Sequence, residues 1–150
     1  MKTIADVMTG NPAKVSRRAS ATDVAKLMRE DDVGAIPVVE DGRLVGIVTD
    51  RDIALRVVAE GRDPNTTHAE DIATAEPRAV GPGESLDEAY VRMATWQIRR
   101  LPVVEGERLV GMLAQADLVH ELKDKRAGQL VNEISQPGQT GFGRREVGLH

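Results

Sequence analysis

The sequence predicts an α+β fold built from two pseudo-symmetric β-α-β-β-α units, and three observations carry that prediction. Residues 36–52, IPVVEDGRLVGIVTDRD, return 65 positions later as residues 101–117, LPVVEGERLVGMLAQAD, without a gap, and eight of the ten positions from Pro37 to Gly46 are identical. Each copy runs apolar, then polar at Asp41-Gly42 or Gly106-Glu107, then apolar again into an Asp-bearing segment, the pattern of strand, turn, strand and helix. The same offset holds outside the hairpins. Asp6/Asp71, Thr9/Thr74, Pro12/Pro77, Val15/Val80, Ser20/Ser85 and Met28/Met93 pair, giving 15 identities over the 53 positions of residues 6–58 against 71–123. A duplicated unit should match in its helices and turns as well as its strands, and this one does.

In the first copy, residues 4–8 read as a short helical turn broken by Gly10-Asn11-Pro12, after which residues 13–15 are briefly extended. Thr22 or Ser20 caps a helix over 23–30, whose Val24, Leu27 and Met28 share one face. Strands follow at 35–40 and 43–48, and Thr49-Asp50-Arg51-Asp52 opens a helix that carries Ile53, Leu55, Val57 and Val58 and stops at Gly61. Residues 61–68, GRDPNTTH, have no apolar period and read as a linker. The second copy repeats the plan with a short helix at 69–73, a short strand at 77–80, and a helix over 87–97 opened by a Ser85/Glu88 capping box. Strands at 100–105 and 108–113 and a helix over 116–123 complete it. The expected division is therefore 6–60, a linker at 61–68, and 69–125. For 126–150 the expectation is one short helical turn at Leu130, Val131 and Ile134, then a flexible tail from Gln136.

Composition narrows the function. The 41% hydrophobic content suffices for a core, there is no cysteine, and no apolar run is long enough to span a bilayer. The expected setting is the reducing cytoplasm, with no disulfide, thiolate metal site or Cys nucleophile. A net charge of -4 disfavours binding to phosphate backbones, and only Tyr90, Trp96 and Phe142 are aromatic, so a nucleic-acid partner is not expected. His68, His120 and His150 lack ligand spacing, so no metal is expected. Trp96, one helical turn from Met93, reads as packing or an association surface. No G-x-S-x-G elbow or activated nucleophile motif supports an enzyme.

The strands are apolar on both faces, and 53 residues cannot cover such a sheet on both sides. Packing the two units sheet to sheet solves this and creates two equivalent clefts, a usual place for a small ligand. In the first copy, Thr49 and Asp52 put a hydroxyl and a carboxylate three residues apart at a helix start. The carboxylate accepts from both ribose hydroxyls, and the hydroxyl with the helix N-terminus donates to a phosphate. Thr49 as N-cap with Asp52 at the third helical position is equally a good capping pair that needs no ligand.

Two gapless copies of h-P-V-V-x-x-x-x-L-V-G-h-h-[ST]-x-x-D, the first behind DVMTGNP, resemble a tandem pair of CBS domains, the Bateman module, over residues 6–123. The stretch from Thr49 through GRDPNT further resembles the stand-alone two-CBS proteins of the hypoxic-response type. The resemblance implies a regulatory module that binds AMP, ADP or ATP, with S-adenosylmethionine ranked behind them, and requires no cofactor for its fold. It implies that Thr49, Asp52 and Ile47 share a main cleft with Thr74, Pro77, Ala79, Arg99, Arg100 and Leu101. The adjacent arginines stand where the first copy has the neutral Gly34-Ala35, so they favour one phosphate-bearing cleft, although exposed surface charge is their ordinary reading. A second cleft would use Asp117 with Thr9, Pro12, Lys14, Gly34, Ala35 and Ile36. It departs from the pattern, because Ala114 removes the hydroxyl, and it is expected to be degenerate, empty or specific for something less charged.

Three function classes follow. The expected one is an adenine-nucleotide sensor of energy or redox state that acts on an effector protein. A ligand-free scaffold dimer is the alternative, and an enzyme comes last. The resemblance also implies a homodimer formed through the helices over 23–30, 52–58, 87–97 and 116–123.

Overall fold

The computed structural model describes the backbone of residues 2–132 and the side chains as far as residue 127. Strands and helices mix as α+β. They are, in order, α1 (Ile4–Val7), β1 (Thr9–Gly10), β2 (Val15–Ser16), α2 (Ala21–Asp31), β3 (Ala35–Glu40), β4 (Arg43–Thr49), α3 (Asp50–Ile53), a π-helical turn (Ala54–Val58), α4 (Ala69–Ile72), β5 (Thr74–Ala75), α5 (Leu86–Trp96), β6 (Arg100–Glu105), β7 (Arg108–Ala114) and α6 (Gln115–Asn132). Two compact units form, and they do not follow the two sequence copies. One holds Asn11–Ala79 with Val104–Val110; of the described residues, the other holds those before Asn11, Val80–Val103 and those from Gly111 to Asn132. Each copy therefore gives its leading helix and two-residue strand to the unit dominated by the other copy.

In the first unit, Ser20 rather than Thr22 caps α2, accepting from the Asp23 N–H at 3.0 Å, and Thr22 instead donates to Asn65 Oδ1 at 2.6 Å. β3 and β4 form an antiparallel hairpin through Asp41 and Gly42, whose φ of 53° and 81° are the signs a type I′ turn needs. The register steps from Val38↔Gly46 to Val39↔Leu44, which leaves Val45 as a bulge. Parallel β2 flanks β3. The core is Ala21, Val24, Met28, Ile36, Val38, Val48, Val57, Ala69 and Ile72. Helix α3 does not continue as a plain α-helix. It passes into the π-helical turn, closed by Ala59 N–H to Ala54 O at 2.9 Å.

The 61–68 stretch, expected as a linker, is docked. Ala21 N–H donates to Thr67 O at 2.8 Å and Thr22 N–H to Pro64 O at 3.1 Å, so this segment satisfies donors that the first turn of α2 cannot satisfy itself. Thr67 is 7% exposed, and its hydroxyl donates to Asp63 O at 2.8 Å. β5 then lies antiparallel on β4, with Gly46↔Ala75 and Ile47↔Thr74. A Cβ at Gly46 would sit 3.1 Å from Ala73 Cβ and 3.2 Å from Thr74 O. Close backbone approach thus explains this glycine.

The second unit repeats that relation. β1 lies on β7 with Thr9↔Met112 and Gly10↔Gly111, and a Cβ at Gly111 would sit 2.5 Å from Met8 Sδ and 2.9 Å from Thr9 O. Asp6 accepts the Thr3 N–H at 2.9 Å at the start of α1, as Asp71 accepts the His68 N–H at 3.1 Å at the start of α4, which accounts for that repeated pair. Ser85 caps α5 by accepting the Glu88 N–H at 3.1 Å, one arm of the expected box. The strand expected at 77–80 is replaced by β5 and a lone parallel bridge, Val80↔Val103, because Glu76 turns the chain at φ 49° and Pro77 has no N–H to give a ladder. Buried Leu86, Ala89 and Met93 of α5 and Leu118, Val119 and Leu122 of α6 supply apolar core. α6 runs to Asn132, well past the expected 116–123. Lys123, Lys125, Arg126 and Ala127 are good helix formers, and the single Gly128 costs only about 1 kcal/mol. Lys2 reaches Glu121 at 2.9 Å, and that carboxylate, by hydrogen bond and charge, holds the Lys2 ammonium above its ordinary value. Among the described residues, no helix is long and apolar enough to cross a membrane. The tail expected from Gln136 lies outside them.

Candidate functional site

The candidate site is assembled at the end of the first hairpin. β4 delivers Ile47 and Thr49, and α3 begins at once, so Asp52 falls one turn beyond Thr49. Asp52 Oδ2 accepts the Thr49 N–H at 2.9 Å, and Thr49 Oγ accepts the Asp52 N–H at 3.1 Å. This is the capping box that the residues alone allow, and it is present. It leaves chemistry over. The Thr49 hydroxyl accepts in the box and keeps its own O–H to donate. Asp52 Oδ1 lies 3.9 Å from Arg56 Nε, beyond hydrogen-bond length, so its lone pairs remain for an incoming hydroxyl. The Asp52 side chain is only 13% exposed, a setting in which charge-assisted hydrogen bonds are strong.

Thr74 stands directly across from Ile47, exposed at the start of β5. Pro77 and Ala79 follow it, half-buried, in the same unit. Six of the nine main-cleft residues, Ile47, Thr49, Asp52, Thr74, Pro77 and Ala79, thus belong to one compact unit, while Arg99, Arg100 and Leu101 belong to the other. Leu101 is fully buried, so its side chain is core and only its backbone is left for a ligand. Arg99 is exposed and Arg100 half-buried.

The second set divides in the same way. Pro12, Lys14, Gly34, Ala35 and Ile36 lie in the first unit; Thr9 and Asp117 lie in the other, where Thr9 pairs across from Met112. Ile36 is fully buried core, and Pro12 and Ala35 are also buried. The Lys14 ammonium is engaged locally, donating to Asn11 Oδ1 at 3.0 Å and Pro12 O at 3.2 Å.

Two residues escaped the sequence reading. Arg56 pairs with Asp52 and donates through Nη1 to Ile72 O at 3.2 Å, tying the helix after Asp52 to the segment that leads into Thr74. Its spacing of four from Asp52 was the available signal. Asp50 is the other. Its carboxylate lies against Gly34, where a Cβ would come within 2.8 Å of Asp50 Oδ2. Among the described residues, no three His, Cys, Asp or Glu side chains group closely enough to hold a metal ion.

The CBS domain family matches this chain twice, over residues 4–59 and 69–124. The chain is 45% identical over 136 residues to the CBS domain-containing protein YhcV of Bacillus subtilis, covering 90% of this chain and 96% of that one. It is 37% identical over 138 residues to hypoxic response protein 1 of Mycobacterium tuberculosis, covering 91% and 96%. Among solved structures, hypoxic response protein I with two coordinated zinc ions superposes with a TM-score of 0.73 at 38% identity, over 79% of this chain and 98% of that one. CBSX2 in complex with AMP gives 0.72 at 26%, over 84% and 99%. The CBS domain pair of protein MJ0100, in complex with 5'-methylthioadenosine and S-adenosyl-L-methionine, gives 0.70 at 26%, over 83% and 98%. With both copies matched and whole stand-alone relatives spanned, the chain belongs to the CBS domain family and carries two CBS domains in tandem.

Proposed function

We propose that this chain is a regulatory module, not an enzyme, that binds an adenine nucleotide at Thr49 and Asp52, with Ile47, Thr74, Pro77 and Ala79 beside them. The observation that carries the proposal is the capping box, which fixes both side chains while leaving Asp52 Oδ1 as an acceptor and the Thr49 hydroxyl as a donor. A ribose diol needs an acceptor of that kind and a phosphate needs a donor. The complexes of two CBS-pair neighbours with AMP and with S-adenosylmethionine support the ligand class. AMP, ADP or ATP is the proposed ligand, and the Thr49 hydroxyl is assigned the phosphate. Binding acts on an effector protein only by favouring one state of the chain over another.

Isothermal titration of the full chain with AMP, ADP, ATP and S-adenosylmethionine tests the reading. A nucleotide should bind with micromolar to millimolar affinity, and Thr49→Val, which removes the donor assigned to the phosphate, should weaken AMP about tenfold while leaving adenosine unchanged. Absence of heat for all four at millimolar concentration refutes it. One observation favours a second reading, a scaffold dimer. Leu55 and Val58, 47% and 72% exposed, lie three residues apart on the turn that follows α3, an apolar pair available to a partner copy. Light scattering on the nucleotide-free chain decides whether a dimer forms without ligand.

A further inference from the structure

Arg56 is not among the residues assigned to the ligand, yet within one compact unit it touches two of the elements that carry them. Its Nε stands 3.9 Å from Asp52 Oδ1, and its Nη1 donates to Ile72 O at 3.2 Å. Ile72 is the last residue of α4, so its carbonyl is one that the helix leaves without an internal partner. Val57, next to Arg56, and Ile72 are fully buried in the same core, so both ends of this tether stand on packed backbone. Two residues beyond Ile72, Thr74 pairs across from Ile47. The capping box pins only Oδ2 of Asp52, and a carboxylate held by one oxygen keeps freedom about χ2. The guanidinium, fixed by Ile72 O, sets a positive charge beside Oδ1 at a distance too long to take up its lone pairs. The second copy has the opposite charge at this place. Asp117 is followed four residues later by Glu121, an acid that turns to Lys2 at 2.9 Å. The copy with the Thr49 hydroxyl has a cation here, and the copy with Ala114 has a second carboxylate.

We propose that Arg56 is a positioning residue of the nucleotide site: it sets the direction of Asp52 Oδ1 and the spacing between α3 and β5, and does not itself touch the ligand. The proposal rests on the reading of Thr49 and Asp52 as ligand-binding and deepens it. Asp52 is assigned the ribose, which AMP and adenosine share, so loss of Arg56 weakens both alike. A side chain that the ligand must order for itself costs about threefold to tenfold in affinity.

The test is isothermal titration of the full chain with AMP and with adenosine, on wild type, Arg56→Met, Arg56→Lys and Arg56→Glu, with a melting curve for each. Met keeps the length and helix propensity of Arg while removing its charge and donors. Arg56→Met should weaken both ligands about threefold to tenfold and lower the melting temperature by about 4 °C at most, because half-exposed ion pairs contribute little to stability. Arg56→Lys should recover part of the affinity. Arg56→Glu, which copies Glu121, should weaken both ligands further than Arg56→Met. That order follows the charge beside Asp52, which a tether serving stability alone would not produce. AMP weakened with adenosine unchanged means that Arg56 contacts the phosphate, and overturns the proposal. So do wild-type affinities for both ligands in Arg56→Met, or equal losses in all three variants. Those results leave the reading of Thr49 and Asp52 standing. Absence of binding by wild type to either probe refutes that reading, and this proposal with it.

Discussion

Replacing Asp52 by Asn separates the two things its carboxylate does. One oxygen, Oδ2, closes the capping box at 2.9 Å from the Thr49 nitrogen, and an amide oxygen can take over that bond. The other, Oδ1, becomes an NH2 group that donates and cannot accept from a ribose hydroxyl. The helix loses a charge in its first turn, worth about 0.3–1 kcal/mol. The long contact to the half-exposed Arg56 adds about 0–1 kcal/mol at most. A loss of about 1 kcal/mol in total lowers the melting temperature by about 2–4 °C for a chain of this size. Ligand affinity should suffer more. Hydrogen bonds to a charged group contribute about 1.5–3 kcal/mol each, so losing even one of the two predicts a tenfold to hundredfold weaker AMP. Scanning fluorimetry and isothermal titration on the same preparations read both axes. If Asp52→Asn melts more than about 10 °C lower while AMP binds as to wild type, the carboxylate is a helix cap and the binding argument fails.

Other consequences follow from the fold. Gly111→Ala should cost about 1–3 kcal/mol, because its Cβ would meet Thr9 O at 2.9 Å and backbone cannot step aside; Gly46→Ala, with 3.2 Å to Thr74 O, should cost less, and urea melts rank the two. Equal, negligible effects would mean that β1 and β5 do not lie on these glycines in solution. Gln97 ends α5 at φ 58° and Asp32 ends α2 at φ 54°. Gln97→Gly should therefore raise stability by about 0.5–1 kcal/mol by relieving the left-handed conformation, and a lower melting temperature would contradict that geometry.

The parts of the fold legible in the sequence were those set by local chemistry. The hairpins followed from apolar runs around Asp41-Gly42 and Gly106-Glu107, and the caps from Ser20, Ser85 and the Thr49/Asp52 pair. The repeat also marked Gly46 and Gly111, yet a single chain gives no sign of which backbone presses on them. The exchange of leading segments therefore stayed hidden, although Thr9/Thr74 recurs for that reason. The docking of residues 61–68 was missed because their hydrogen bonds are made by backbone and small polar side chains, which have no apolar period. The extent of α6 was not legible because residues 123–126, KDKR, have no apolar period and extend the helix by propensity instead. At the site, residue types identified Thr49 and Asp52, whereas Asp50 and Arg56 matter through what they touch, Gly34 in one case and Ile72 O in the other.

An amide-resolved NMR titration of the full chain with AMP tests the central claim most directly. The account predicts saturable shifts that are largest for the amides of Thr49, Asp52 and Thr74 and that vanish in Asp52→Asn at the same nucleotide concentration. Shifts absent at millimolar AMP, or centred on residues outside β4, α3 and β5, would contradict it.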